Sequence, residues 1–393
     1  DMHGSQNVEL HERARDGDPV AICRAMVSTD SVNPVLAPGG EGERAVAELV
    51  AGWLDEWGLK PEMIEVAPDR FNVVARLRGS GPTLLLNGHL DTVGVEGMTI
   101  PPFAADLKGG RLWGRGSCDM KGGDAAILTA AARLAQGEGP TPNLLVAFTA
   151  DEEHASLGMA HLVESGIQAD LAVVCEPTSL AVMPAHKGFV WLRALFKGRA
   201  AHVSRPEVGI DAIRHAGLYL SALDAYADRL RARPAHALIG HGSFHAGTIV
   251  GGSAESVYPE SCRLLLERRT MPGEDPAAVE REFQSVLDEL AGRVPEVDAT
   301  LEMTLARPGT EVDPASDLVQ GLLAACQARG VEPRVEGMTA WVDAAFLNEA
   351  GVPAVCFGPG DIAQAHTEDE WIDPREIRVC AEVLETFARS LVD

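Results

Sequence analysis

At 393 residues the chain is long for one hydrophobic core, and its 46% apolar content suffices for two or three. Acidic residues outnumber basic ones by 58 to 33, for a formal net charge of −25, which argues against nucleic acid or an anionic membrane as a partner. Seven cysteines lie scattered with no CxxC pair, no apolar stretch reaches the roughly 18 residues of a spanning helix, and no basic-then-apolar leader opens the chain, so the expectation is a cytoplasmic protein with reduced thiols.

The pattern predicts a helix over residues 8–26 and another over 43–57, where Val46, Leu49, Val50, Trp53 and Leu54 repeat on one face. Short apolar runs at 71–77 and 84–86 read as strands, the second stopping at Asn87-Gly88, a turn signal. Arg111, Leu112 and Trp113 end a further strand before Gly114 and Gly116. Residues 125–134 are alanine-rich and helical; 143–149 (NLLVAFT) form a buried strand ending at Asp151, Glu152 and Glu153. A helix over 157–165 and a buried strand over 171–175 lead to Glu176-Pro177. Short apolar strands alternating with helices mark an α/β domain with a mostly parallel sheet flanked by helices.

After Pro184 the style changes. A strand over 189–196 is followed by a helix over 208–230, a loop-rich stretch of histidines and glycines, a strand over 262–267, a helix over 276–290 and a strand over 299–305. That content suits a small α+β domain with an antiparallel sheet. From Pro314 the first style returns, with helices over 318–328 and 342–348, a strand over 354–357 and a C-terminal helix from Arg375. The expected organisation is a first domain over 1–185, an inserted domain over 186–306, and the rest of the first domain over 307–393.

Acids and imidazoles gather where strands end. His89 and Asp91 stand two apart after LLL, Asp119 follows GRGSC, Glu152 and Glu153 follow one strand, Glu176 the next, and His366 comes late after another. Each alone reads more simply as a helix cap or a solvated loop residue. At successive strand ends of an open α/β sheet they can converge. His89, Asp119, Glu153, Glu176 and His366 offer nitrogen and carboxylate oxygen, the donors of two divalent cations, with zinc first and cobalt or manganese as alternatives. Asp91 can orient His89. Glu152, beside a ligand but not needed as one, can take a proton from water and pass it to a leaving amine.

Five ordered motifs, NGHLDTV, GRGSCDMKGG, TADEEHASLG, CEPT and AHTEDEW, resemble those of the zinc amidohydrolases and metallopeptidases that include acetylornithine deacetylase, succinyl-diaminopimelate desuccinylase, aminoacylases and glutamate carboxypeptidase. The resemblance covers nearly the whole chain. It implies a catalytic domain interrupted by a lid and dimerisation domain, and a metal pair bridged by Asp119, with His89 and Glu176 on one ion and Glu153 and His366 on the other. It also implies Glu152 as general base, and a homodimer in which His202, within GRAAHVSRPEVGIDAI, reaches the partner subunit's active site to stabilise an oxyanion. GGSAESVYP and ERRTMPG resemble segments that hold a substrate carboxylate, with Arg269 matching the gripping arginine better than its neighbour Arg268. Two departures stand out: Ser256 replaces an asparagine common in relatives, and Gly94 replaces a proline after HLDTV.

The function expected is hydrolysis of the amide bond of a small N-acylated amino acid with a free carboxylate, in the manner of acetylornithine deacetylase. The alternatives are a desuccinylase-like deacylase, a carboxypeptidase or dipeptidase, and a non-catalytic binding or dimerisation module. The last is disfavoured because no ligand and no base is missing. A nucleotide site at GRGSCDMKGG lacks both the GxGxxG spacing and the lysine-serine pair.

Overall fold

The computed structural model describes residues 2–392. The chain divides into two compact units, one built from the segments up to Pro184, Val312–Glu336 and from Val342 onward, the other from Ala185–Glu311 and Gly337–Trp341.

In the first unit a twisted sheet runs in the order Glu62–Ala67, Arg70–Leu77, Pro142–Thr149, Ser80–His89, Leu171–Val174, Ala354–Cys356 and Val182–His186. Its four central strands, from Pro142–Thr149 to Ala354–Cys356, are mutually parallel, and the flanking pairs are antiparallel. A parallel centre needs both faces covered. Leu84, Leu85 and Leu86 accordingly have no exposed surface, each contributing roughly 1.5–3 kcal/mol of burial. The helix Gly122–Gln136 packs against this centre, almost wholly buried, and the amphipathic helix Pro374–Ser390, with Ile377, Cys380, Ala381, Leu384 and Phe387 buried, packs mainly against that helix. The helices at Pro19, Pro276 and Pro374 all start the same way: an aspartate N-cap accepts backbone N–H bonds and proline fills the first position.

In the second unit four antiparallel strands run in the order Ser243–Gly251, Ser261–Thr270, Gly188–Lys197 and Asp298–Arg307. The helices Ala212–Ala232 and Pro276–Arg293 cover one face, so burial alternates strictly along Gly188–Lys197.

Three local expectations are corrected, and one expected strand is assigned to its sheet. The helix over 8–26 is two helices, Met2–Arg15 and Pro19–Val27, because Gly17 (φ 80) and the Asp18-Pro19 cap stop one and restart the other. Asn87-Gly88 is not a turn: the strand continues to His89, with Gly88 opposite Phe148 and His89 opposite Thr149. Arg111–Trp113 belongs to a separate small sheet with Asp106–Lys108 and Trp371–Ile372. The stretch expected as loop contains the strand Ser243–Gly251, an edge strand exposed along nearly all its length, so no burial alternation marks it.

Gly88 is required by packing. A Cβ there would lie 2.0 Å from Asp124 Oδ1 and 2.8 Å from Met120 Cε. Gly88→Ala is expected to destabilise the protein by about 1–3 kcal/mol. Gly52→Ala, within the helix Arg44–Glu56 with nothing near its Cβ position, is expected to stabilise by about 0.5–1 kcal/mol; urea unfolding midpoints of the two variants should move in opposite directions.

Candidate metal centre

The parallel strands end side by side, and the candidate residues follow those ends. His89 closes Ser80–His89 beside Thr149, and the Asp151-Glu152-Glu153 turn begins two residues after Thr149. Glu176 follows Leu171–Val174, and the segment after Ala354–Cys356 leads to His366.

The side chains of His89, Glu152, Glu153, Glu176 and His366, together with Asp91 and Asp119, belong to the first unit, and the structure brings the metal candidates together. His89 is 2% exposed. Its Nδ1 lies 3.0 Å from the carbonyl oxygen of Asp91 and 3.5 Å from Asp91 Oδ1, so its Nε2 faces the cluster, 3.1 Å from Asp119 Oδ1 and 3.7 Å from Glu176 Oε1. The other oxygen of Asp119, Oδ2, lies 3.3 Å from His366 Nε2, which in turn is 3.1 Å from Glu153 Oε2. Asp119 therefore stands between two imidazoles and presents a different oxygen to each. Glu152 Oε2 reaches within 3.9 Å of His89 Nε2. The carboxylate of Asp91 accepts from the backbone N–H groups of Glu152 (3.0 Å) and Glu153 (3.2 Å), fixing the turn on which both glutamates sit.

The electrostatics describe a cluster short of positive charge. Burial pushes the carboxyls of Glu152 and Glu176 well above the usual range, reinforced for Glu152 by Glu176 and for Glu176 by Asp119 and Glu153. Glu153 is pushed up to about 7 by burial and the charge of Asp119. Bonds to Asp119 and Glu153 raise His366 to about 10. For His89, burial disfavours the charged ring, but the bonds to Asp119 and Asp91 outweigh it and hold its pKa well above the ordinary value. Unneutralised carboxylates and imidazoles of this donor type suit divalent cations.

The geometry fits such ions. The sets His89, Asp119, Glu176 and Asp119, Glu153, His366 each bring one donor atom per residue within 4.8 Å of the others, and they share Asp119. A third set of His89, Glu152 and Glu153 meets the same limit. The first two account better for the site, because the two oxygens of Asp119 already face separate imidazoles.

Three supporting groups escaped sequence reasoning. Glu370, 1% exposed, accepts from Arg115 Nη1 (2.8 Å) and from the N–H groups of Gly116, Cys118 and Asp119 (each 3.0 Å). It lies four residues after His366 inside AHTEDEW, so that motif supplies both an imidazole and the anchor of the Asp119 loop. Asp343, 1% exposed, is raised to about 6 by burial and adds its charge to Glu152 and Glu176. Asn33 donates to Asp91 Oδ2 at 2.8 Å. No local pattern marks Asp343 or Asn33.

The remaining candidates lie in the second unit. His202 is exposed, with Nδ1 2.8 Å from the hydroxyl of Ser204. It bridges to Val257, and Val203 N–H donates to the carbonyl of Ser256 at 3.0 Å, so His202 and Ser256 occupy adjacent segments. Arg268 and Arg269 separate cleanly. Arg268 is wholly buried and committed to Tyr226 and Glu274. Arg269 points to the opposite face of the sheet, donates from Nε to the Gly188 carbonyl at 3.2 Å, and keeps Nη2 without a hydrogen-bond partner.

Glu370→Gln replaces one acceptor oxygen with a donor that faces N–H groups in either orientation. The expected result is a loss of about 2 kcal/mol of unfolding free energy, read by urea denaturation, together with weaker divalent metal binding by the folded protein.

Comparison with known proteins follows the same lines. Residues 85–390 match the family described as Peptidase family M20/M25/M40. An acetylornithine deacetylase of Myxococcus xanthus is 33% identical over 327 residues, 80% of this chain and 83% of that protein. One from Vibrio atlanticus (strain LGP32) is 30% identical over 359 residues, 89% and 92% of the two. Among solved structures, aminopeptidase PepT from Bacillus cereus ATCC 10987 superposes with a TM-score of 0.79 at 19% identity, over 96% of this chain and 98% of its own. The Bacillus subtilis YXEP protein, described as a dinuclear metal binding peptidase, does so with a TM-score of 0.73 at 17% identity, over 98% and 99%. With its ordered motifs, its two-unit α/β architecture and this length of matched sequence, the chain belongs to the M20/M25/M40 peptidase family.

Proposed function

We propose that the protein hydrolyses the amide bond of a small N-acylated amino acid carrying a free carboxylate, an acetylornithine deacetylase-like reaction, at a centre of two divalent cations. The observation that carries this reading is Asp119, whose two oxygens face His89 and His366 separately. In it His89 and Glu176 would hold one ion and Glu153 and His366 the other, with Asp119 shared between them. Zinc is the first expectation from this nitrogen and oxygen set, and cobalt or manganese suit it too.

A bound dication pair supplies a polarised carbonyl and a more acidic water. The side chains do the rest. Asp91 fixes the His89 ring through Nδ1, so that Nε2 alone faces the cluster. Glu152, whose backbone is pinned to Asp91, accepts a proton from water as its oxygen adds to the amide carbon, then returns it to the amine nitrogen as the carbon–nitrogen bond breaks. A carboxylic acid and a free amine leave. Arg269, with one guanidinium nitrogen unpartnered, grips the substrate carboxylate, and Ser256 contributes a shorter donor than asparagine would. His202 stabilises the developing charge on the carbonyl oxygen in the site of a second subunit. The exposed edge strand Ser243–Gly251, with Ile249 and Val250 more than half exposed, supports a homodimer formed through this unit. Seven free, buried cysteines support a reducing, cytoplasmic setting, and no described helix is long and apolar enough to cross a membrane.

A peptidase reading has its own support in the solved structures described as an aminopeptidase, a tripeptidase and a carnosine dipeptidase. A panel of N-acetyl amino acids, N-succinyl amino acids and dipeptides assayed with added zinc or cobalt separates the two: N-acetyl substrates should be preferred, and exclusive turnover of dipeptides would replace the deacylase reading. Glu152→Ala should keep its metal and lose roughly 100-fold or more in turnover; full activity in that variant would remove the general-base role. His202→Ala should lower turnover at unchanged metal content, and mixing it with a metal-ligand variant such as His89→Ala should restore part of the activity in the heterodimer.

A further inference from the structure

A buried ionic chain lies behind the turn that carries Glu152 and Glu153, and the hydrolytic scheme does not use it. Glu43 and Arg70 are 0% and 6% exposed, and Arg70 grips both oxygens of Glu43 with its fork. Arg70 Nη2 also donates to Asp151 Oδ1 at 3.1 Å, and the N–H of Asp151 donates to Glu43 Oε1 at 3.1 Å. The amide nitrogen of Asn33 bridges the two acids that matter, donating to Asp151 Oδ1 at 2.9 Å and to Asp91 Oδ2 at 2.8 Å. Asp91 in turn receives the Glu152 and Glu153 N–H groups and faces His89. The contacts run without a break from Arg70 to the imidazole.

Asp151 adopts a left-handed backbone conformation, φ 65, which a non-glycine residue keeps only where its surroundings impose it. The next two residues are glutamates that must face other carboxylates, so mutual repulsion favours any relaxation that moves them apart. A planar guanidinium can hold two carboxylates at fixed angles, which an ammonium cannot. We infer that Arg70 and Asn33 are positioning residues: Arg70, braced by Glu43, holds Asp151 in its left-handed turn, and Asn33 locks that turn to Asp91, so that Glu152 and Glu153 meet His89, Asp119 and His366 in register. The inference rests on the reading of the cluster as a metal centre.

The test uses the full chain and Co(II) as the probe. Parent, Asn33→Ala and Arg70→Lys are titrated with Co(II), followed by the visible absorption of the bound ion, and kcat and KM are measured on one N-acetyl amino acid. Asn33→Ala strands no buried charge, and it decides alone if Arg70→Lys does not fold. Both variants are expected to bind Co(II) about 10–100-fold more weakly with an altered absorption envelope, and to lose about 10–100-fold in kcat with little change in KM. Parental Co(II) affinity and spectrum in either folded variant would overturn the inference, leaving the chain a stabilising element only. Absence of Co(II) binding by the parent would instead strike the metal-centre reading itself.

Discussion

Like charge forced together and kept from water is the constraint on which the rest of this structure depends. The carboxylates of Asp91, Asp119, Glu152, Glu153 and Glu176 converge with His89 and His366 at the carboxyl edge of a parallel sheet. In a low-dielectric interior such groups repel strongly and favour protonation or dispersal. A cluster of this kind persists only if the backbone beneath it is held, and its nitrogen and carboxylate donors suit divalent cations that would neutralise it.

Two buried arginine–glutamate pairs provide the holding. Arg115 with Glu370 fixes the loop of Asp119, and Arg70 with Glu43 fixes the turn of Glu152 and Glu153. Each pair sits one step behind the residues that face the cluster, and each joins segments far apart in the chain. Removing one partner of a buried pair strands a charge, typically at a cost of about 3–5 kcal/mol, so the fold and the site share these contacts. The small sheet of Trp371–Ile372 with Arg111–Trp113 serves the same end by keeping Glu370 close to the loop it caps.

Much of this was legible in the residues. Fully buried parallel strands announce themselves as unbroken apolar runs, and both LLL and NLLVAFT became central strands ending at acids and imidazoles. The α/β and antiparallel styles of the two units were likewise readable, because half-buried strands alternate and doubly buried ones do not. Where reading failed, the cause is physical. Ser243–Gly251 is exposed along its length apart from Phe244, which packs against Tyr226 and Phe283, so its burial does not alternate. Gly88 looked like a turn residue but is small because Asp124 occupies the space beside it. Asn33, Arg70 and Asp343 act through partners distant in sequence, and a lone polar residue carries no sign of such a partner.

The account stands on two metal ions sharing Asp119. Crystals grown with zinc, with diffraction recorded on both sides of the zinc absorption edge, test it most directly. The account predicts two anomalous peaks about 3.5–4 Å apart, one beside His89 and Glu176, the other beside Glu153 and His366, with an Asp119 oxygen on each. A zinc-loaded protein with no anomalous peak among these residues, or with a single peak that leaves Glu153 and His366 unliganded, would contradict it.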